Sequence, residues 1–356
     1  MVIRKSNSER LAQPKYREVI DHLRRSIREL PPGGRMPSFQ ELQERFGAST
    51  TTINRALALL EGEGLVVRRQ GSGIFAAGAT PRPRHSTIGI YGCSKGLRRL
   101  SFYSHLLAGV ENAAHRNGSE LLLLDSLPSK GWEKVDGLLL YGDTGGDMLS
   151  RLPVPIPAIS LLWPYADCPH VSTDDFFASR RAAEYLISLG HRRIAYLGGI
   201  EAMMVTVRYF GYENAMMRAG LGIDRRLLRE IKHVGLTYVN EARARMGDWL
   251  RDDWHDLGIT ALLAQNDHVA MGAIQALAAA GLRVPEDVSV IGFDGIDECE
   301  IFTPRLTSVE VPLEAIGERA AVMLLECIEN GRTDTESVVL PANLVLRDST
   351  APPSRR

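Results

Sequence analysis

The sequence predicts an α/β protein in two parts: a small N-terminal winged helix-turn-helix, then a larger two-lobed region of doubly wound parallel sheets. Three observations predict it. The first is length: 356 residues exceed one ordinary core and suggest two or three domains at roughly 100–200 residues each. The second is a change of hydrophobic period near residue 86, from three short helices and a hairpin to apolar strands alternating with helices. The third is charge. Residues 1–86 hold 15 Lys and Arg against 8 Asp and Glu, a balance of +7; the remaining 27 basic and 35 acidic residues leave −8. A basic end on an acidic body suggests a polyanion as partner of that end.

Local signals set the N-terminal elements. Over 15–29, Val19, Ile20, Leu23 and Ile27 recur at helical spacing, and Pro31-Pro32-Gly33-Gly34 stops the helix. Ser38 followed by Glu41 is a capping box, opening a short helix that runs to Phe46 and turns at Gly47. A third helix is expected over 49–63, ended by Gly64. Strands over 65–69 and 74–76, joined by Gln70-Gly71-Ser72-Gly73, complete a wing. This domain is expected to fill residues 1–77. Residues 78–86, with Pro81 and Pro83, read as a stiff, extended linker.

Beyond the linker, strands are expected over 88–91, 121–124, 137–140, 158–161, 194–197, 261–264 and 288–293. Helices fall between most of them, over 103–117, 176–189, 208–219, 269–280 and 313–330. This alternation predicts parallel, doubly wound sheets. Residues 87–350 divide into a first lobe of about 87–170 and 303–332 and a second of about 171–302 and 333–350.

Composition narrows the function classes. The chain is 44% hydrophobic and 24% charged, as ordinary globular domains are. The first twenty residues contain no apolar signal-like run, and no stretch reaches the roughly 18 apolar residues of a membrane span. The expectation is a cytoplasmic protein. Cys93, Cys168, Cys299 and Cys327 lie far apart with no C-x-x-C, as thiols of a reducing compartment do. No Ser-His-Asp order, metal-ligand cluster or phosphate loop stands out, so neither an enzyme nor a cofactor is expected. Gly145-Gly146-Asp147 and the run from Ser172 to Asp175 read as turns.

The third helix separates into two faces. Ile53, Ala56, Leu57 and Leu60 form an apolar stripe, while Thr50, Thr51, Asn54 and Arg55 project from the N-terminal half. A recognition helix presents its base-reading side chains there. The run Pro37-Ser38, Glu41-Leu42, Thr51-Thr52, Ala56-Leu57, Leu59 to Leu65 and Arg68 to Gly73 resembles the GntR-type winged-helix regulators over the whole of 14–76. The resemblance implies DNA contacts from Arg35, Ser38, Gln40, Ser49, Thr50, Thr51, Asn54 and Arg55, and from Arg68, Arg69, Gln70 and Gly71 in the wing. Gln40, Thr50 and Asn54 stand where the family often has arginine, so the operator is expected to differ from the common one.

The larger region carries Asn266-Asp267, Pro285-Glu286-Asp287, Phe293-Asp294, Pro304 to Val309 and Leu189 to Ala195 in a fixed order. That order resembles the effector-binding domain of LacI/GalR-type regulators, related to periplasmic sugar-binding proteins. The resemblance implies a small polar effector, a sugar, held between two lobes by Arg208, Asn266 and Asp294, with Asp174 nearby and Phe102, Tyr103 and Trp163 as aromatic contacts. It also implies a homodimer on a pseudo-palindromic duplex operator. Two departures stand out. Only ten residues separate Leu124 from Val135, too few for the family's helix, and the proline-rich linker replaces a hinge helix. The competing class is a solute receptor of periplasmic type without any role on DNA. The missing leader-like segment and the basic N-terminal domain speak against it.

Overall fold

The computed structural model describes residues 15–30, 34–62, 65–69, 73–76, 86–92, 101–124, 134–142, 156–164, 168–199, 206–231, 238–331 and 335–354. The chain forms two compact units, 1–85 and 86–356.

The first unit contains α1 (Lys15–Glu29), α2 (Phe39–Phe46), α3 (Thr50–Gly62) and the antiparallel pair β1 (Val66–Arg69) and β2 (Gly73–Ala76). Val19, Leu23, Leu42, Ile53, Leu57 and Leu60 are fully buried together. The three- and four-residue spacing of these positions is what turns one face of each helix inward. The expected capping box is present: Ser38 Oγ accepts from the Glu41 amide at 3.2 Å and Glu41 Oε2 from the Ser38 amide at 2.6 Å. Gly47, at φ 53°, closes α2 in the left-handed region that glycine favours.

The second unit holds two six-stranded sheets. The first is built from β3 (Thr87–Tyr91), β4 (Glu120–Leu124), β5 (Gly137–Tyr141), β6 (Ala158–Leu161) and β7 (His170–Thr173), with α4 (Ser101–Arg116) after β3. The second takes β8 (Ile194–Gly198), β9 (Leu228–Glu230), β10 (Ala261–Ala264), β11 (Ser289–Asp294) and β12 (Thr307–Glu310). Its helices are α5 (Asp175–Ser188), α6 (Thr206–Arg218), α7 (Tyr238–Asp252), α8 (Asp267–Ala279) and the short α9 (Glu298–Ile301). The chain then returns through α10 (Leu313–Asn330) and β13 (Val338–Leu340) to the first lobe and ends with β14 (Asn343–Val345) on the second. The orders are β13-β7-β6-β5-β3-β4 and β14-β12-β11-β10-β8-β9, parallel throughout except for β14 against β12.

These orders move the expected lobe boundaries. β7 stays in the first sheet although 171 was to open the second lobe. β12 belongs to the second sheet although 303–332 was assigned to the first, and β13 to the first although 333–350 was assigned to the second. The chain therefore crosses between lobes three times: after β7, after β12 and between β13 and β14. All three strands have three or four residues, too few to show a period of their own.

One core runs through both lobes, from Ile88, Leu139 and Ile159 to Ile194, Leu263 and Ile291. A second, with Trp249, Leu262 and Val290, lies between the second sheet and α7 and α8. On the first sheet, Leu138 and Leu140 are buried beside Leu124 and Val135. The shortened segment expected to leave that face thinly covered falls largely on 125–133, outside the described residues.

Candidate functional site

In the first unit, the residues expected at DNA divide by what they already do. Ser38 caps α2, and Ser49 Oγ accepts from the Thr52 amide at 3.2 Å, closing the start of α3. Gln40 donates to Glu44 at 3.1 Å, and Thr50 accepts from Gln43 at 3.1 Å. Arg35 bridges the wing strand at Phe75 through its main chain. Thr51, Asn54 and Arg55 are exposed at the N-terminal half of α3. Arg68, on β1, reaches back to α3: Nη1 donates to Asn54 Oδ1 at 3.0 Å and Nη2 to Glu61 Oε2 at 2.5 Å. Arg69 ends β1, while Gln70 and Gly71 lie outside the described residues.

In the second unit, parallel strands deliver their last residues to the carboxyl edge of each sheet, where open α/β sheets bind ligands. Asp294 ends β11, and Arg208 sits in the first turn of α6. Arg208 is the hub. Its Nε donates to Asp175 Oδ2 at 2.8 Å and its Nη1 to the Gln265 carbonyl at 2.7 Å. Nη1 also lies 3.0 Å from Asp294 Oδ1, an ion-pair distance without the alignment of a hydrogen bond, so that oxygen remains without a hydrogen-bonding partner. The guanidinium rests on the Phe293 ring at 3.7 Å. Thr173 Oγ1 donates to Asp175 at 2.6 Å and holds it in place. Gly211 lets α6 approach α5: a Cβ there would stand 2.3 Å from the Phe176 carbonyl oxygen.

Burial governs the titration of this group. It pushes the Asp294 carboxyl up to about 7; Arg208 pulls it down, while Asp267 and Asp175 push it further up. For Arg208, burial disfavours the charge, but Asp175 and Asp294 outweigh it and the guanidinium is held more firmly protonated than usual. Asp267, pushed up to about 6 by burial, accepts from Ser308 Oγ and from the Gly295 and Ile296 amides. It fixes the turn just after Asp294.

The first lobe contributes aromatics. Tyr141 Oη donates to Tyr103 Oη at 2.8 Å, with the rings edge to face at 4.8 Å. Phe102 packs edge to face on Tyr103 at 5.3 Å and against both cores of the unit. Trp163, after β6, is half-buried, and its Nε1 is buried without a partner. Among the described residues, two non-glycines have φ in the left-handed region, Leu162 at 70° and Asp294 at 113°. Both stand at the carboxyl ends of strands, one in each lobe. Such strain costs on the order of 1–3 kcal/mol per residue and collects at functional sites. Across the lobes, Ser101 Oγ donates to Glu298 at 2.6 Å and His105 meets Asp297 at 2.9 Å.

Two expected ligand residues have structural duties. Asp174 Oδ1 caps α5 by accepting from the Phe177 amide at 3.0 Å, and Asn266 Oδ1 caps α8 by accepting from Val269 at 2.9 Å. Asn266 keeps its Nδ2 for other use. Their neighbours Asp175 and Gln265, which the sequence did not single out, hold Arg208 instead. The run from Ser172 to Asp175, read as a turn, is a strand end leading into a helix. Gln265 is 1% exposed; its Oε1 accepts from the Gly199 amide at 2.5 Å and its Nε2 has no partner. Gly198 makes room, since a Cβ there would lie 2.4 Å from the Gln265 Cβ. Among the described residues no His, Cys, Asp and Glu cluster suits a metal, and no helix is long and apolar enough to cross a membrane.

A winged helix-turn-helix in one unit and two parallel-sheet lobes in the other are the parts of a ligand-responsive DNA-binding regulator. Known proteins agree. Bacterial regulatory proteins of the gntR family match residues 15–76, and the periplasmic binding protein-like domain matches residues 183–350. The HTH-type transcriptional repressor CytR of Escherichia coli (strain K12) is 30% identical over 268 residues, covering 70% of this chain and 75% of its own. The arabinose metabolism transcriptional repressor of Geobacillus stearothermophilus is 26% identical over 372 residues, covering 95% of this chain and 98% of its own. A solved LacI family transcriptional regulator from Enterococcus faecium, with bound ribose, has a TM-score of 0.65 at 26% identity and covers 75% of this chain and 99% of its own. The chain belongs to the LacI-type HTH transcriptional regulators, with a gntR-family domain as its DNA-binding part. It is a regulator of transcription and not an enzyme.

Proposed function

We propose that the chain is a repressor that holds operator DNA through residues 1–77 and releases it when a small sugar occupies the cleft of residues 87–350. The observation that carries this reading is Arg208, buried between Asp175 and Asp294 at a strained strand end, with aromatic rings on the other lobe. A carboxylate takes hydroxyl hydrogens, a guanidinium donates to ring and hydroxyl oxygens, and an aromatic ring covers the C–H face of a sugar. Asp294, Arg208 and the Nδ2 of Asn266 supply the polar contacts. Phe102, Tyr103 and Trp163 supply the stacking, and Asp174 sets the rim. The ribose and arabinose in the names of two relatives support the same class.

On DNA, Thr50, Thr51, Asn54 and Arg55 address base edges, while Arg35, Ser38, Gln40 and Ser49 approach the backbone. The wing, with Arg68, Arg69, Gln70 and Gly71, borders the same surface. Two copies form a homodimer over a pseudo-palindrome in the cytoplasm. Closure of the lobes acts through the linker at 78–86, and a coupling of about 1–3 kcal/mol suffices for a switch.

A thermal-shift panel of pentoses, hexoses, disaccharides and nucleosides tests this. A bound sugar at a hundred times its Kd stabilises the protein by about 2.7 kcal/mol. The expected result is a rise in Tm with a sugar, lost in Asp294→Asn, and release of selected operator DNA by the same sugar. A panel in which no sugar raises Tm and another solute class does would overturn the sugar reading.

A further inference from the structure

We infer that Glu61 is a positioning residue for base recognition: through Arg68 it fixes the amide of Asn54 so that Nδ2 leads toward the duplex, donates to a base acceptor and excludes cytosine. The inference rests on the operator-binding reading of the first unit.

Asn54 and Glu61 lie seven residues apart on α3, two turns along one stripe, with the small Ala58 between them. Arg68 arrives from β1. Glu61 takes it twice: Oε2 accepts from Nη2 at 2.5 Å and Oε1 accepts from the Arg68 main-chain amide at 3.2 Å. This places Nη1 for its 3.0 Å hydrogen bond to Asn54. A guanidinium has no acceptor, so the Asn54 atom that meets it can only be the oxygen. Chemistry, and not a choice between two similar atoms, therefore orients the amide. The two Nδ2 hydrogens are left for another partner.

In the major groove both purines present the N7 acceptor, and guanine adds O6. Thymine presents the O4 acceptor, and only cytosine would meet Nδ2 donor to donor. Glu61 and Arg68 are each about a third exposed, at 31% and 36%, where an ion pair adds little to stability. Orientation is the stronger consequence. Arg68, expected at DNA, has its fork engaged by α3 on both sides.

The experiment selects bound duplexes from a random pool with the full chain, then measures single-base operator variants by gel shift. Wild-type protein should exclude cytosine at one column of each half-site. Asn54→Ala should lower the discrimination there from about tenfold to about twofold, the scale of one good base contact. Glu61→Ala should reproduce that loss at the same column and no other, and the double variant should lose nothing more. Arg68→Lys, which cannot fork, should behave as Glu61→Ala and stands in for it should that variant unfold. A preferred cytosine at the Asn54 column, or an unchanged column in folded Glu61→Ala and Arg68→Lys, would overturn the inference alone. Wild-type protein that enriches no sequence would overturn the operator-binding reading and the inference with it.

Discussion

The two sides of the candidate cleft use different chemistry. In the second lobe, Arg208 is held by Asp175 and the Gln265 carbonyl, which are themselves held by Thr173 and the Gly199 amide, and it forms an ion pair with Asp294. In the first lobe, Phe102, Tyr103 and Tyr141 meet edge to face, with a hydroxyl hydrogen bond from Tyr141 to Tyr103. Buried charge is costly unless paired, so the charged side has to be fixed by the fold before any ligand arrives. Aromatic rings need no partner, so their side can adapt. The second lobe should therefore be sensitive in stability, and the first in affinity.

The largest expected effect tests the charged side. Arg208→Met leaves the buried Asp294 and the half-buried Asp175 without their cation and should cost about 3 kcal/mol in urea unfolding. Arg208→Lys should recover only part, because an ammonium cannot reach Asp175 and the Gln265 carbonyl in one plane. A loss under 1 kcal/mol for Arg208→Met would remove the contrast between the lobes.

The pH dependence follows from the same group. Burial raises the Asp294 carboxyl above its ordinary value to about 7, so the folded state binds the proton more tightly than the unfolded one. Its contribution to stability is complete below about pH 4 and is lost as pH rises through 7. The stability–pH curve of Asp294→Asn should be flatter between pH 4 and 7. A sugar that donates hydroxyl hydrogens to the carboxylate should bind more tightly at pH 8 than at pH 6, measured by calorimetry.

Smaller effects sharpen the comparison. Asp174→Ala removes a helix cap and should cost about 1 kcal/mol in stability. Tyr103→Phe removes one hydroxyl hydrogen bond and should also cost about 1 kcal/mol. Trp163→Phe should be smallest in stability, near zero, since its Nε1 has no partner to lose. The same change should weaken sugar binding severalfold by titration. Unchanged affinity there would make Trp163 ordinary packing.

Much of the architecture was legible in the residues. The capping box at Ser38 and Glu41, the stop before Arg35 and the apolar spacing of Val19, Leu23, Ile53 and Leu57 are local signals, and each element of the first unit lies within two residues of its expected ends. Strands such as Ala158–Leu161 and Ala261–Ala264 were legible because they are buried on both faces and read as continuous apolar runs. α7 and the short strands β7, β9, β12, β13 and β14 were not expected. α7 has Glu241, Arg243, Arg245 and Asp248 among its apolar positions, and the strands are too short or too polar for a period to show.

At the site, the sequence found the neighbourhood and missed the neighbour. Asp174 and Asn266 attract attention as polar residues at element junctions, yet helix starts need caps there, and each has its Oδ1 bound by a main-chain amide. Asp175 and Gln265, one position further on and one position back, meet Arg208 because α5, α6 and β10 pack side by side. Local sequence determined the helices, the wing, the charge division and the order of strands and helices, because caps, turns and periodicity act within a few residues. Which carboxylates meet Arg208, which lobe each short strand joins and how Glu61, Arg68 and Asn54 link wing to helix were decided by tertiary structure. Those contacts span from 7 residues of chain, for Glu61 and Arg68, through 86, for Arg208 and Asp294, to 167, for the pairing of β13 with β7, and only packing brings such groups together.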